Sequence, residues 1–327
     1  MIGGTRVVAI EEHWMPSALA SALAGRDESL AFNERGDHAE RLADLGAGRL
    51  ATMDTQGIDV SLLGLTPPGT QALTAGDAVR SSRAANDAAA VAVAAHPDRL
   101  RALSTLPLPA PDRIVAELER TADLGFVGTM VYGRSDDLLL DDPAFEPFFA
   151  AAARLGQPVF LHPQLPSPAQ RDAAYRGFDA VTDLALATFG WGWHVDAGLA
   201  ALRLIVRGTF ERHPGLQLIL GHWGEVLLFW LDRADSLARV AGLPRPVSDY
   251  VRSNLHITAS GMLNPALVRH ALSVTTADRL LFSTDYPFQQ PTRDEIAGLL
   301  AGFDGPDRAA FAGGNADRLF GLSPAHR

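Results

Sequence analysis

Residues 6–13 read RVVAIEEH. A continuous apolar run, Val7-Val8-Ala9-Ile10, ends abruptly in Glu11, Glu12 and His13. An unbroken apolar run suits a strand covered on both faces, as in a parallel sheet. Alone, the two carboxylates have a plain reading, as caps of a following helix or as solvated groups. The reading changes if other buried strands end in the same kind of residue.

Seven further runs share the pattern: VSLLGLTPP (60–68), RLRALSTLPL (99–108), GFVGTMVYG (125–133), PVFLHP (158–163), LQLILGH (216–222), LHITAS (255–260) and RLLFSTD (279–285). Between them lie stretches with helical spacing, at 78–100, 111–125, 143–156, 196–215, 225–241, 264–273, 293–303 and 307–320. Several open on Pro and close on Gly, the asymmetry of helix ends. Eight strands alternating with helices predict a (β/α)8 barrel, with residues 1–327 as one domain. A doubly wound open sheet is the alternative, weakened because no glycine-rich phosphate fingerprint follows the first strand. Residues 14–50 read as a long insertion after strand 1, with little periodicity, suited to a lid or an oligomer contact.

A hydrophobic fraction of 47% and a charged fraction of 20% fit an ordinary globular chain with a large core. The net charge of −10 disfavours nucleic acid and anionic membrane as partners. A small anionic substrate stays open, because one local cation overrides the global field. There are no cysteines, so thiolate chemistry and Cys-based metal sites are excluded and any metal must sit among His and carboxylates. Neither a basic-then-apolar leader nor an apolar run of about 18 residues is present, and the expected compartment is the cytoplasm.

Functional residues of such a barrel sit at the C-terminal ends of its strands. Those ends supply Glu11, Glu12 and His13 from strand 1, His162 from strand 5, His222 from strand 6 and Asp285 from strand 8. Residues two apart on a strand share a side, so Glu11 and His13 can aim together into the mouth while Glu12 points away. With His162 and Asp285 they make a mixed nitrogen and oxygen set suited to one divalent ion, Zn2+ or Mn2+. Individually, His162 also reads as an ordinary strand end and Asp285 as a helix cap. Glu225 lies three residues after His222, so the two share a helix face if a helix starts there, and a carboxylate beside an imidazole fixes its tautomer. Trp14, Trp191, Trp193, Trp223 and Phe288 fall near these ends, where they can stack a planar ring or pack a core. Arg233 reads by default as a surface residue, and His194, His213, His256 and His270 as structural or surface residues.

The chain resembles the amidohydrolase superfamily, and within it the non-oxidative aromatic acid decarboxylases, the γ-resorcylate (2,6-dihydroxybenzoate) group most of all. The resemblance rests on VVAIEEHW, MDTQGIDVSLLGL, ANDAAAVAVAAHPDRL, LGFVGTMV, VFLHP, LILGHWGE, HITASG and LLFSTDYPF. Many amidohydrolases open with His-X-His, whereas these decarboxylases use Glu-X-His, as Glu11 and His13 do. The resemblance implies one divalent ion held by Glu11, His13, His162 and Asp285, and active-site roles for His222 and Glu225. It also implies substrate contacts near Trp191, Trp193, Phe288 and Arg233, and a homodimer or homotetramer. Gln164 and Gln289 depart from the family's usual Arg and Glu, which bears on the ring substituents. The implied reaction is decarboxylation of a hydroxylated benzoate, with Asp285 protonating the ring carbon. Salicylate, dihydroxybenzoates and carboxyvanillate-like acids all fit. A metal-dependent hydrolase is the second reading and a barrel that merely binds an aromatic acid the third.

Overall fold

The computed structural model describes residues 1–322. Eight strands pair in chain order, all parallel: β1 (Val8–Trp14), β2 (Val60–Leu65), β3 (Leu100–Thr105), β4 (Gly128–Tyr132), β5 (Val159–His162), β6 (Leu218–Leu220), β7 (Leu255–Thr258) and β8 (Leu280–Leu281). The ring nearly closes through backbone bonds between the last and first strands. The Ile10 amide donates to Phe282 O at 3.1 Å, and the His13 amide to Tyr286 O at 2.7 Å. With helices around it, this is the expected (β/α)8 barrel.

The continuously apolar strands serve two cores. Val8, Ile10, Val60, Leu62, Leu103, Met130, Phe160, Ile219 and Leu281 form one cluster, joined from the C-terminal helix by Phe320. Their alternating neighbours, among them Val7, Ala9, Leu63, Leu161, Leu218 and Phe282, join the larger cluster that packs the helices. Burial of this kind contributes roughly 25 cal/mol for each Å² of apolar surface removed from water.

Strand β1 breaks its own alternation. Val8 pairs with Val60 and Ala9 with Ser61, but Glu12 pairs with Leu63 and His13 with Gly64. One extra residue is therefore accommodated between Ala9 and Glu12, a β-bulge. Regular alternation from Val8 and Ile10 would turn Glu12 inward. The bulge reverses the parity, so Glu11 and His13 face the barrel interior instead. Gly64 leaves room beside His13: a Cβ there would lie 2.6 Å from Met130 Cε.

Two stretches differ from the sequence reading. Residues 14–50 are not without periodicity: short helices at Ser17–Leu23, Leu30–Asn33 and His38–Ala43 precede the helix Ala47–Gln56. Nor is 225–241 one helix. The chain turns at His222–Glu225, passes through a 3-10 turn at Leu227–Trp230, and then forms Leu231–Ala234 and Ser236–Ala241. The cause is a left-handed backbone at His222, Trp223, Glu225 and Val226 (φ 46°, 56°, 52° and 68°), which no α-helix accommodates. Among the described residues, no helix is long and apolar enough to cross a membrane.

Candidate active site and metal centre

The ends of β1, β5, β6 and β8 converge as their sequences suggest. His13 Nε2 lies 3.2 Å from Asp285 Oδ1 and 4.0 Å from Glu11 Oε1, and His162 Nε2 lies 3.4 Å from the same Glu11 oxygen. Donor atoms of Glu11, His13 and His162 fall within 4.8 Å of one another, as do those of Glu11, His222 and Asp285. Glu11 is common to both groups and is wholly buried.

The protonation pattern suits a cation. His162 Nδ1 stands 2.7 Å from Pro163 O, so the proton sits on Nδ1 and the Nε2 lone pair is turned toward Glu11. Burial pushes His13 down to about 4, so it is neutral and can coordinate. Burial alone would raise Glu11, but the surrounding histidines, charged His222 among them, hold it below the ordinary carboxylate range. Burial, and then the charge on Glu11, raise Asp285 to about 7. Glu11 Oε1 and His13 Nε2 are buried yet have no hydrogen-bond partner. Buried polar atoms are rarely left so, and a divalent ion would satisfy both. The residues therefore fit the implied metal.

The other Glu11 oxygen is spoken for. Ser260 Oγ donates to Glu11 Oε2 and accepts from the His222 amide at 2.8 Å. Gly221 leaves space for this junction: a Cβ there would lie 2.8 Å from Ser260 Oγ and 3.0 Å from Glu225 Oε1. Glu12 is turned to the opposite side of β1, where its carboxylate accepts from the Thr284 amide at 2.9 Å and from Thr284 Oγ1 at 2.6 Å. It neither caps a helix nor faces solvent. It braces the residue preceding Asp285, whose own amide donates to Glu11 O at 3.1 Å.

His222 and Glu225 do not share a helix face. The left-handed turn nevertheless brings His222 Nδ1 to 2.7 Å from Glu225 Oε1. Burial lowers His222, but the Glu225 charge, with Glu11 and Asp285, outweighs it and lifts His222 to about 10. Burial would raise Glu225, yet His222 and His194 hold it at about 2. The pair is thus an imidazolium beside a carboxylate.

These groups line a cavity of about 840 Å³. His13, His162, His222, Glu225 and Asp285 contribute polar atoms, while Trp191, Trp193, Phe288, Phe189 and Trp230 supply aromatic walls. From the stretch between β1 and β2, Phe32, Asn33, Arg35 and His38 form a further wall. The Phe288 ring lies 5.6 Å from His13 and 5.3 Å from His38, centroid to centroid. Three residues singled out from the sequence lie elsewhere. Arg233 is exposed on Leu231–Ala234 and lines no part of this cavity. Trp14 is buried in the core that packs the helices. Gln164 lines a separate pocket beside Arg134 and Arg171, whereas Gln289 does line the cavity.

The amidohydrolase family profile matches residues 13–322. The chain belongs to the amidohydrolase family. Its resemblance to the γ-resorcylate decarboxylases extends over almost its whole length. It is 35% identical to the gamma-resorcylate decarboxylase of Rhizobium sp. (strain MTP-10005), covering 97% of this chain and 99% of that one. The crystal structure of 5-carboxyvanillate decarboxylase from Sphingomonas paucimobilis superposes with a TM-score of 0.89 at 33% identity, covering 98% of this chain and 100% of that one. A dihydroxybenzoic acid decarboxylase from Polaromonas sp. JS666, with bound manganese and the inhibitor 2-nitroresorcinol, superposes with a TM-score of 0.85 at 32% identity. That match covers 97% of each chain.

Besides Phe189, Trp230 and the wall from Phe32 to His38, two residues that bond Glu11 and Glu225 lie outside the set read from sequence. Ser260 ends the LHITAS run, but a serine at a strand end carries no signal of its own. His194 reads from the sequence as structural or surface, yet its Nδ1 lies 2.7 Å from Glu225 Oε2. Only its place in the aromatic WGWH stretch hinted at the cavity.

Proposed function

We propose that this chain catalyses metal-dependent, non-oxidative decarboxylation of a hydroxylated benzoate, giving a phenol and CO2. It is a carbon–carbon lyase on an amidohydrolase barrel. The observation that carries the reading is the convergence of Glu11, His13, His162 and Asp285, with two buried donor atoms unsatisfied, in a chain so similar along its length to aromatic acid decarboxylases.

Glu11, His13, His162 and Asp285 would hold one divalent ion, Mn2+ or Zn2+; the Polaromonas relative carries manganese. Such an ion supplies positive charge that neutralises anionic oxygens of the substrate and fixes their orientation. Direct loss of CO2 would leave an aryl carbanion, so the ring must be protonated first. Asp285 donates a proton to the ring carbon bearing the carboxylate, with the electron pair pushed from the ortho phenolic oxygen. The carbon–carbon bond then breaks, CO2 leaves, and its electron pair restores the aromatic ring. Asp285 recovers its proton from solvent. His222, oriented by Glu225, carries positive charge toward the carboxylate. Trp191, Trp193 and Phe288 pack against the ring and exclude water. Arg233 has no role within a single chain in this scheme. One barrel domain in the cytoplasm, assembled as a homodimer or homotetramer, completes the proposal. Exposed Phe189, Trp191, Phe229 and Trp230 around the mouth support the assembly.

The test is to load the purified protein with Mn2+ or Zn2+ and offer a panel of hydroxybenzoates, esters and lactones. Release of CO2 from a hydroxybenzoate, abolished by chelation, is the expected result. Release of acid from an ester or lactone without CO2 would replace the lyase with a hydrolase.

A further inference from the structure

A row of hydrogen bonds runs back from the cavity: Trp193, His194, Glu225, His222. Trp193 Nε1 lies 2.9 Å from His194 Nε2. An indole N–H only donates, so in the state that satisfies Trp193 the His194 Nε2 is the acceptor and the imidazole proton sits on Nδ1. The Phe189 carbonyl, 3.0 Å from that same Nε2, receives no proton from it in this state. Nδ1 stands 2.7 Å from Glu225 Oε2, so His194 donates to it. The other Glu225 oxygen lies 2.7 Å from His222 Nδ1. The Glu225 carboxylate is wholly buried and cannot turn without breaking one of two short charge-assisted bonds. Its geometry leaves His222 Nε2 as the ring nitrogen free for substrate.

His194, His222 and Glu225 are close enough to hold a second cation, with donor atoms within 4.8 Å of one another. The Trp193 N–H argues against it, because it commits the one His194 nitrogen facing Glu225 to carrying a proton. The geometry points instead to His194, its tautomer set by Trp193, as a positioning residue that fixes the Glu225–His222 pair toward the substrate. This inference rests on the decarboxylase reading for its kinetic consequence, but not for its hydrogen-bond pattern.

Two measurements test it. In the Zn2+-loaded protein labelled with 15N-histidine, two low-field Nδ1–H signals should report bonds to a carboxylate. His194→Leu should remove one and shift the other; unchanged spectra would overturn the assignment whatever the reaction is. In the decarboxylase assay, His194→Leu should lower kcat about 10–100-fold, the usual effect of losing a partner one step removed from the reacting groups, with KM changed less than about threefold. His194→Asn, whose amide N–H can replace Nδ1–H, should recover most of kcat. Trp193→Phe should lower kcat several-fold, because the proton is then free to move to Nε2 and the Phe189 carbonyl. Wild-type kcat in His194→Leu, or equal losses in the Leu and Asn variants, would overturn the positioning role. If wild type releases no CO2 from any hydroxybenzoate, the reaction assigned above fails, and the nuclear magnetic resonance result still decides the hydrogen-bond row.

Discussion

Ser260 is the point at which the proposed metal ligand and the histidine proposed to face the substrate carboxylate are held by one atom. Its hydroxyl donates to Glu11 Oε2 and accepts from the His222 amide. Ser260→Ala removes that atom with almost no loss of volume, so packing is nearly untouched. Two groups then lose their partner. An unsatisfied buried donor or acceptor costs about 1–3 kcal/mol, and a carboxylate more. The Glu11 side chain is wholly buried, whereas His222 is only partly so. A combined destabilisation of about 3 kcal/mol follows. In a chain of this size each kcal/mol moves Tm by roughly 2 °C, so metal-free Ser260→Ala should melt about 6 °C below wild type. The same loss frees the Glu11 carboxylate to rotate, and a ligand without its outer partner typically binds metal about 10–100-fold more weakly. Calorimetric titration with Mn2+ measures that factor, and scanning calorimetry of the metal-free proteins measures Tm. If Ser260→Ala matched wild type in both, Ser260 would not be the junction between Glu11 and His222. A lower Tm with unchanged metal affinity would show that Oε2 orientation is irrelevant to coordination.

Other variants test separate parts of the site. Glu11→Gln should lose most of the bound metal by elemental analysis, whereas Glu12→Gln should keep it and lose stability, since one oxygen facing Thr284 becomes an NH2; the reverse pattern would put the β1 bulge one residue out of place. Asp285→Asn should release CO2 at least about 10²–10⁴-fold more slowly, the usual contribution of a general acid, and a rate near wild type would reject Asp285 as proton donor. His256, inside β7, is pushed down to about 3, by burial first and by Arg279 next. The unfolded chain therefore takes up a proton below pH 6.5 that the folded chain refuses, and stability falls as pH falls. Between pH 7 and 5 wild type should lose about 2 kcal/mol more than His256→Asn in denaturant titrations, and parallel curves would refute the buried neutral state.

The barrel was legible because a strand covered on both faces needs an unbroken apolar run, and eight such runs stand out between helical stretches. The ligand set was legible for a related reason. A polar or charged group ending a buried run is costly unless something pairs with it. The Glu11-X-His13 spacing gave the relative orientation of the two side chains correctly. That both aim into the mouth, as the structure has it, follows from their chemistry and not from alternation. Counting alternation from Val8 and Ile10 sends Glu12 inward, and only the register against β2, where Glu12 meets Leu63, shows the extra residue. Likewise the partners of Glu11 and Glu12, Ser260 and Thr284, follow β7 and β8 and lie 249 and 272 residues away, and no local pattern in the chain marks them.

The turn after β6 shows most sharply why local reasoning stopped short. Helical spacing puts His222, Glu225 and Arg233 on one face, and a continuous helix would carry Arg233 along that face about 12 Å beyond Glu225. Ordinary side chains are rarely found at positive φ, and each such residue costs of order 1 kcal/mol or more. Here His222, Trp223, Glu225 and Val226 all adopt it, as do Ser260 and Asp285 across the cavity. Local preference would never choose this conformation. It persists because tertiary partners hold it, Ser260 Oγ on the His222 amide and Glu11 O on the Asp285 amide, with Gly221 O closing the turn on the Gly224 and Glu225 amides. The turn swings Glu225 back beneath His222 and leaves Arg233 in solvent. Loss of the helix is therefore the cost of aiming two titratable side chains at one cavity from a single strand end. His194 could then enter the network only from a separate helix, Gly192–Val206, which is why its partner had no signature in the residues around it.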